Sequence, residues 1–148
     1  MEVHFSIKSF NELSVYELYT YLQLRSEVFV VEQNCIYQDL DNQDQNAFHV
    51  FIHKESTLVA CARIIAANDK YPMISIGRVI VAKTFRNQQF GHILMKNTIT
   101  AIEKQFGTQQ IVLSAQAHLQ NFYKKHNFAP QGEIYLEDGI PHIQMIRK

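Results

Sequence analysis

The stretch from Ile76 to Met95, IGRVIVAKTFRNQQFGHILM, constrains this chain more than any other. A β-rich run from Ile76 to Val81 meets a polar turn holding Arg86, Asn87, Gln88 and Gln89, and a helical pattern opens at Phe90. The order is strand, turn, helix. The first turn of a helix leaves about four backbone N–H groups without intrahelical partners, and together with the macrodipole they favour a phosphate. Arg86 in the same turn adds a cation, which makes the junction a candidate pyrophosphate seat, although many such junctions bind nothing. Two nucleotide-binding patterns are excluded, since the chain has neither Gly-x-x-x-x-Gly-Lys-Ser/Thr nor Gly-x-Gly-x-x-Gly.

The elements around this junction are legible from period and punctuation. His4 to Ile7 alternates as a short strand. Ser14-Val-Tyr-Glu17 matches a capping box, which starts a helix near Val15 with Val15, Leu18, Leu22 and Phe29 on its inward face. The following EQNCIYQDLDNQDQNAF reads as a long loop of the kind that lines binding sites. Its Asp41 and Asp44 are expected in solvent, while Glu32 and Asp39, with Glu137 far along the chain, are candidates for an acidic mouth that attracts an amine cation. Phe48 to Ile52, Leu58 to Ala66 and Ile74 to Val81 follow as an antiparallel meander, split at Lys54–Thr57 and Asn68–Pro72. Beyond the junction, Met95, Ile99, Ile102 and Phe106 share a helix face that Gly107 ends, and Ile111 to Leu113 is a buried strand that rejoins the sheet in parallel. A short helix over 118–126 puts Leu119 and Phe122 inward, Asn127 takes a left-handed cap, and Asp138-Gly139 turns a final hairpin between Glu133–Leu136 and His142–Ile146.

Composition narrows the partners. At 148 residues the chain fits one domain, 1–148, and its Lys+Arg count of 14 equals its Asp+Glu count of 14. No net field recruits nucleic acid or an anionic membrane, so the expected partner is small. Cys35 and Cys61 make no disulfide framework, and the first residues carry no export signal, so a reducing, cytoplasmic setting is expected.

The junction resembles the acyl-CoA-binding signature of the GNAT N-acetyltransferases, Arg/Gln-x-x-Gly-x-Gly/Ala after a strand. Arg86, Gln89 and Gly91 fall at its defined positions, and Gln89 replaces the first glycine, bringing a side chain where the family has none. LRSEVFVVEQNCIYQDLD, LSAQAHLQNFYKKHNF and YLEDGIPHIQM resemble the ElaA-type subgroup, so the likeness covers nearly the whole chain. The resemblance implies an α/β (α+β) fold. What it implies is a single-domain GNAT fold with a mixed, mostly antiparallel sheet of about seven strands, helices on both faces, and a splay between the fourth and fifth strands. It further implies transfer of an acetyl group from acetyl-CoA to a primary amine of a small molecule or peptide, with no metal, by a monomer or homodimer.

The same resemblance assigns candidate roles. Asn87, Gln88, Gln89, Phe90, Gly91 and His92, with Arg86, would hold the pyrophosphate, and Val79, Ile80 and Val81 would pair with the pantetheine amides as an added strand does. Gln116 stands where many members have an asparagine on the cofactor. Tyr123 aligns with the tyrosine that protonates the departing thiolate, a role open to a phenol that keeps its proton at neutral pH. The general base stays open among Glu32, Glu137, Asp138, His142 and water. Arg25, Glu32, Gln33 and His49 are candidates for the acceptor side. His118 and His126 are eight apart with no neighbouring cysteine, so no metal site is expected. Two other readings compete: a CoA-binding regulator without activity, and an acyl-homoserine-lactone-synthase-like acyl transferase, for whose acyl-chain pocket the length leaves little room.

Overall fold

Ser14 starts the first helix as its capping pattern dictates. In the computed structural model, which describes residues 2–69 and 71–148, the Ser14 Oγ accepts from the Glu17 N–H at 3.0 Å and the Glu17 carboxylate accepts from the Ser14 N–H at 2.9 Å. Two otherwise orphaned donors are satisfied. Met1, and Lys70 in the expected Asn68–Pro72 connection, lie outside the described residues. Helix α1 (Val15–Arg25) continues as a wider π-helical coil over Ser26–Glu32. Its inward face differs from the expected one. Val15 is 80% exposed, while Tyr21, Leu24, Arg25 and Val28 are buried, with Leu18 and Phe29 packed beside them. A tyrosine and an arginine occupy the buried stripe, so counting apolar residues alone rotates the face.

Seven strands form one sheet: β1 (Val3–Ser9), β2 (Phe48–Lys54), β3 (Thr57–Ile65), β4 (Ile74–Val81), β5 (Ile111–Gln116), β6 (Phe128–Glu137) and β7 (Ile140–Arg147). Their order is β1-β2-β3-β4-β5-β7-β6. β2, β3 and β4 make the expected antiparallel meander, and β1 adds to it antiparallel beside β2. Helix α2 (Phe90–Phe106) then crosses over and β5 returns parallel to β4, with β7 and β6 antiparallel beyond it. The turn between β6 and β7 has φ of 52° at Asp138 and 77° at Gly139, two left-handed residues as a tight hairpin of this hand requires. A 3-10 turn at Ala117–Leu119 leads into α3 (Gln120–Lys124), and Asn127 is left-handed as expected (φ 68°).

Alternation along the strands sends side chains to two faces. Val50, Ile52, Ala60, Ala62 and Ile64 meet Leu94, Met95, Ile99 and Ile102 of α2. Phe51, Cys61 and Ile80 meet Tyr21, Leu24 and Val28 of α1 and its extension on the other face. Each large aliphatic side chain buried this way contributes about 1.5–3 kcal/mol, so the α2 face is a main source of stability.

The feature that makes a site is a bulge in β4. Gly77 pairs with Arg63 and Ile80 with Cys61, so three steps along β4 match two along β3, and Arg78 sits at φ 50°. The extra residue flips the alternation: Ile76 packs on the α2 side before it, and Val79 and Val81 do so after it. A bulged strand bends. Parallel pairing with β5 is confined to Ile74 with Ile111 and Ser75 with Val112, and past that point the two strands part. The splay expected between the fourth and fifth strands is therefore present.

Candidate active site

The gap between β4 and β5 exposes an unpaired strand edge. The Ala82 N–H donates to Val59 on β3 at 2.8 Å. Successive residues of a strand direct their N–H and C=O groups alternately, so those of Val79 and Val81 turn towards the gap. At its end lies the start of α2, where no side chain caps the first turn. Gln89 is left-handed there (φ 69°), as is Asn87 (φ 65°), so the turn keeps the backbone a glycine would favour and bears its strain, on the order of 1–2 kcal/mol per residue. A Cβ on Gly91 would lie 3.1 Å from Phe122 Cε1, so a packing contact as well as access to the backbone calls for glycine. The peptide groups of Val79 and the N–H of Val81, beside uncapped helical N–H groups, suit a ligand that has amides at one end and phosphates at the other; the Val81 carbonyl is held by Arg86. The residues present fit CoA.

Arg86 is held in the gap. Its Nε donates to the Val81 carbonyl at 3.0 Å, and both terminal nitrogens donate to Glu32, one at 2.9 Å. The Arg86 guanidinium holds the Glu32 carboxyl below its ordinary range. A carboxylate stabilised in its ionised form is a poor proton acceptor.

Two cavities meet at Tyr123. One, of about 490 Å³, is lined by Val79, Ile80, Val81, Arg86 and Gly91 on one wall and by Gln116, His118 and Phe122 on the other. The second, of about 110 Å³, is lined by Tyr37, Arg78, Glu137, Asp138 and His142. Tyr123, Gln116, Gln33 and Phe29 line both. Tyr123 is only 6% exposed, its hydroxyl has no hydrogen-bond partner among the described residues, and burial pushes its pKa up to about 12. It thus holds its proton at neutral pH between the two chambers. Burial of Tyr123 also corrects the expected orientation of the short helix, since Leu119 is 38% exposed.

The final hairpin supplies the far wall. Ile140 and His142 are two residues apart on β7, and the His142 Nδ1–H donates to the Ile140 carbonyl at 2.7 Å. His142 Nε2 lies 3.5 Å from Glu137 Oε2. Ser114 on β5 hydrogen-bonds to the Tyr135 hydroxyl and donates to Glu137 at 3.4 Å.

The loop after α1 departs from expectation. Asp44 is buried and Asp41 half-buried, neither of them a solvated loop residue, because three arginines meet them. Arg25 donates to Asp39 at 2.9 Å and to Asp44 at 2.8 Å, Arg63 pairs with Asp41 and Asp44, and Arg78 donates to Asp39 at 2.7 Å. Asp39 is buried and neutralised, so it is no part of an acidic mouth. Arg25 is fully buried, and His49 is too, donating from Nε2 to the Asp44 carbonyl at 2.9 Å and accepting from the Tyr21 hydroxyl at 2.8 Å. The structure does not bring Arg25 or His49 to either chamber; they fasten the loop to the sheet. Asn87, Gln88 and Gln89 are exposed at the turn, Phe90 is buried in the core, and His92 lies 2.8 Å from His126. Phe29, Tyr37, His118 and Phe122 enter the chamber walls unforeseen. Only their positions within the LRSEVFVVEQNCIYQDLD and LSAQAHLQNFYKKHNF stretches pointed to them. Among the described residues no group of three or more His, Cys, Asp or Glu is placed to hold a metal, and no helix is long and apolar enough to cross a membrane.

Residues 13–148 match the acetyltransferase (GNAT) domain family. The chain is 47% identical over 140 residues to the protein ElaA of Escherichia coli, covering 93% of this chain and 92% of that one. The crystal structure of Escherichia coli ElaA superposes with a TM-score of 0.93 at 44% identity, over 99% of this chain and 100% of that one. An acyl-CoA N-acyltransferase from Pseudomonas aeruginosa superposes with a TM-score of 0.94 at 39% identity, over the same shares. An aminoglycoside 6'-N-acetyltransferase complexed with coenzyme A shares the fold alone, with a TM-score of 0.72 at 14% identity over 96% of each chain.

Proposed function

Since the chain belongs to the GNAT acetyltransferase family and is an acyltransferase of that fold, we propose that it transfers an acetyl group from acetyl-CoA to a primary amine of a small molecule or peptide, by direct attack with both bound. The observation that carries this reading is the meeting of two chambers at Tyr123, one bordered by a free strand edge and an uncapped helix start, the other by Glu137 and His142. A thioester and an amine need such an arrangement, with the reacting atoms brought together from opposite sides and bulk water limited.

The residues act as follows. Val79, and Val81 through its N–H, offer backbone partners to the pantetheine amides, and the N–H groups at the start of α2 with Arg86 receive the pyrophosphate. Acetyl-CoA, when bound, supplies an activated acyl carbon and a thiolate leaving group. The Tyr123 hydroxyl donates its proton to the sulfur as the C–S bond breaks. Its raised pKa keeps that proton available at every physiological pH, and the same burial desolvates the developing thiolate and makes it more basic. Gln33 lines both chambers and orients the acceptor, while Glu32 lines the larger one and controls Arg86.

The test is release of free thiol from acetyl-CoA with a panel of primary amines, paired with mass analysis of the acetylated product. The expected outcome is thiol release that depends on the amine. A regulator without activity would bind CoA and release none with any acceptor.

A further inference from the structure

We propose that His142 is the proton acceptor for the incoming amine and that His142 Nε2 and Glu137 Oε2 together seat it as a primary ammonium; this rests on the amine-acetylation reading above. The geometry is specific. The Ile140 carbonyl can only accept, so the 2.7 Å contact places the proton on His142 Nδ1 and leaves Nε2 of the neutral ring with its lone pair. That lone pair and a carboxylate oxygen are 3.5 Å apart. Two acceptors so close repel, and the repulsion is relieved either by a proton on Nε2 or by a cation with more than one N–H standing against both; a primary ammonium has three and can hand Nε2 that proton.

The ring is held for this task. His142 is buried, lies parallel to the Tyr135 ring at an interplanar angle of 26°, and pairs in register with Gln116 of β5 and Tyr135 of β6. The titratable and charged groups that line the chamber with it are Cys35 and Tyr37 of the loop, Arg78 of β4, Tyr123 of α3, and Glu137 and Asp138 of the hairpin. Arg78 is engaged by Asp39 and so does not displace the ammonium. Glu32 is the competing base, and its carboxylate is held by Arg86. An imidazole nitrogen with a free lone pair can take a proton and release it again, which a general base requires.

The proton balance closes. His142 Nε2 takes one proton from the ammonium and becomes imidazolium beside Glu137. The free amine then forms the N–C bond to the acyl carbon as the C–S bond breaks. Tyr123 gives its proton to sulfur, and the second proton leaving nitrogen restores the phenol. The products are the amide, the thiol and one proton, which His142 passes to solvent.

The test uses the full chain with acetyl-CoA and acceptors ranging from ethylamine to a blocked lysine. His142→Asn keeps a donor towards the Ile140 carbonyl and deletes Nε2. It should lower kcat/KM by about 10²–10⁴-fold with CoA affinity unchanged, and its pH profile should lose one acid-side ionisation. His142→Ala should regain at least about tenfold in rate with added imidazole, an effect a packing role would not give. Glu137→Gln, at a half-exposed position, should raise KM for cationic amines more than it lowers kcat, and should raise KM for an uncharged arylamine acceptor much less. Titration of the wild-type histidine ring signals with ethylamine, followed by NMR, should move His142 independently of turnover. An active wild type with a His142→Asn variant within about threefold of it and an unchanged pH profile overturns the assignment alone. A wild type that binds CoA but releases no thiol with any amine overturns the amine reading and the assignment with it.

Discussion

Arg86 donates to Glu32 through both terminal nitrogens while its Nε holds the carbonyl of Val81, so one side chain ties the end of the α1 extension to the last residue of β4. A pyrophosphate at the start of α2 would meet an arginine already engaged by a carboxylate. Glu32→Gln frees it, and CoA should then bind about two- to fivefold more tightly at low salt, the worth of a partly exposed pair, with the gain shrinking as salt rises. Arg86→Ala should weaken binding by a similar factor. Calorimetry with CoA at two ionic strengths checks both, and weaker binding by Glu32→Gln would mean that the bridge aims Arg86 at the cofactor.

Gly91 has two reasons to be glycine, and they can be separated. An added Cβ would sit 3.1 and 3.2 Å from two atoms of the Phe122 ring, so Gly91→Val should cost about 1–3 kcal/mol of stability by overpacking. It should also obstruct the helix start and weaken CoA binding more than Arg86→Ala does. Replacing Phe122 by Leu in the same variant should recover most of the melting temperature and little of the CoA affinity. Recovery of both would reduce Gly91 to a packing residue.

The arginine–aspartate network predicts acid lability. Arg63 beside Asp41 holds that carboxyl down to about 2 against an ordinary 3.8, despite the opposing cost of burial, and Asp44 is lowered by Arg25 and Arg63 in the same way. A depressed folded-state pKa gives stability that is complete above the unfolded value and is lost as pH falls through the folded one. The contribution of these carboxylates should therefore be flat above about pH 5 and decline between about pH 4 and pH 2, with Asp41 alone accounting for about 2 kcal/mol. It comes on top of an earlier loss below about pH 6.5 from His49, His53 and His126, whose burial lowers their pKa values. Asp44→Asn leaves Arg25 and Arg63 short of a partner and should cost about 3–5 kcal/mol at pH 7, with a flatter acid limb in a denaturant series.

That network marks where the sequence stops being legible. The meander, the parallel return of β5, the cap at Ser14 and the hairpin at Asp138-Gly139 were readable because each follows from local period or turn chemistry. The inward face of α1 was not, because Tyr21 and Arg25 are polar-ended residues whose burial depends on His49, Asp39 and Asp44, which are distant in sequence. The same long-range pairing turned Asp44 from an expected surface residue into a buried ion. In the site, Gly91, Tyr123 and Gln116 could be located through motif positions. The facing of His142 Nε2 and Glu137 required the hairpin register, and the Glu32–Arg86 bridge required the path of the π-helical segment.

Tyr123 separates chemistry from binding at one atom. Its ring packs edge-on against Phe122 and Phe128, at centroid distances of 5.0 and 6.1 Å, so the aromatic body is fixed by contacts that a phenylalanine would keep. The hydroxyl has no hydrogen-bond partner among the described residues, so removing it leaves no protein donor or acceptor unsatisfied. Tyr123→Phe should therefore melt within a few degrees of the wild type and bind CoA with nearly unchanged affinity. General acid help is worth about 10²–10⁴-fold, and kcat should fall within that range wherever chemistry limits turnover. Because burial pushes the phenol to about 12, the wild-type rate should show no loss of this proton up to about pH 10, whereas a phenol of ordinary acidity would begin to fail there. A rate that holds within a few-fold in a folded variant would make Tyr123 a packing residue, with water protonating the sulfur. Loss of CoA affinity in the same variant would instead make the hydroxyl an anchor for the sulfur.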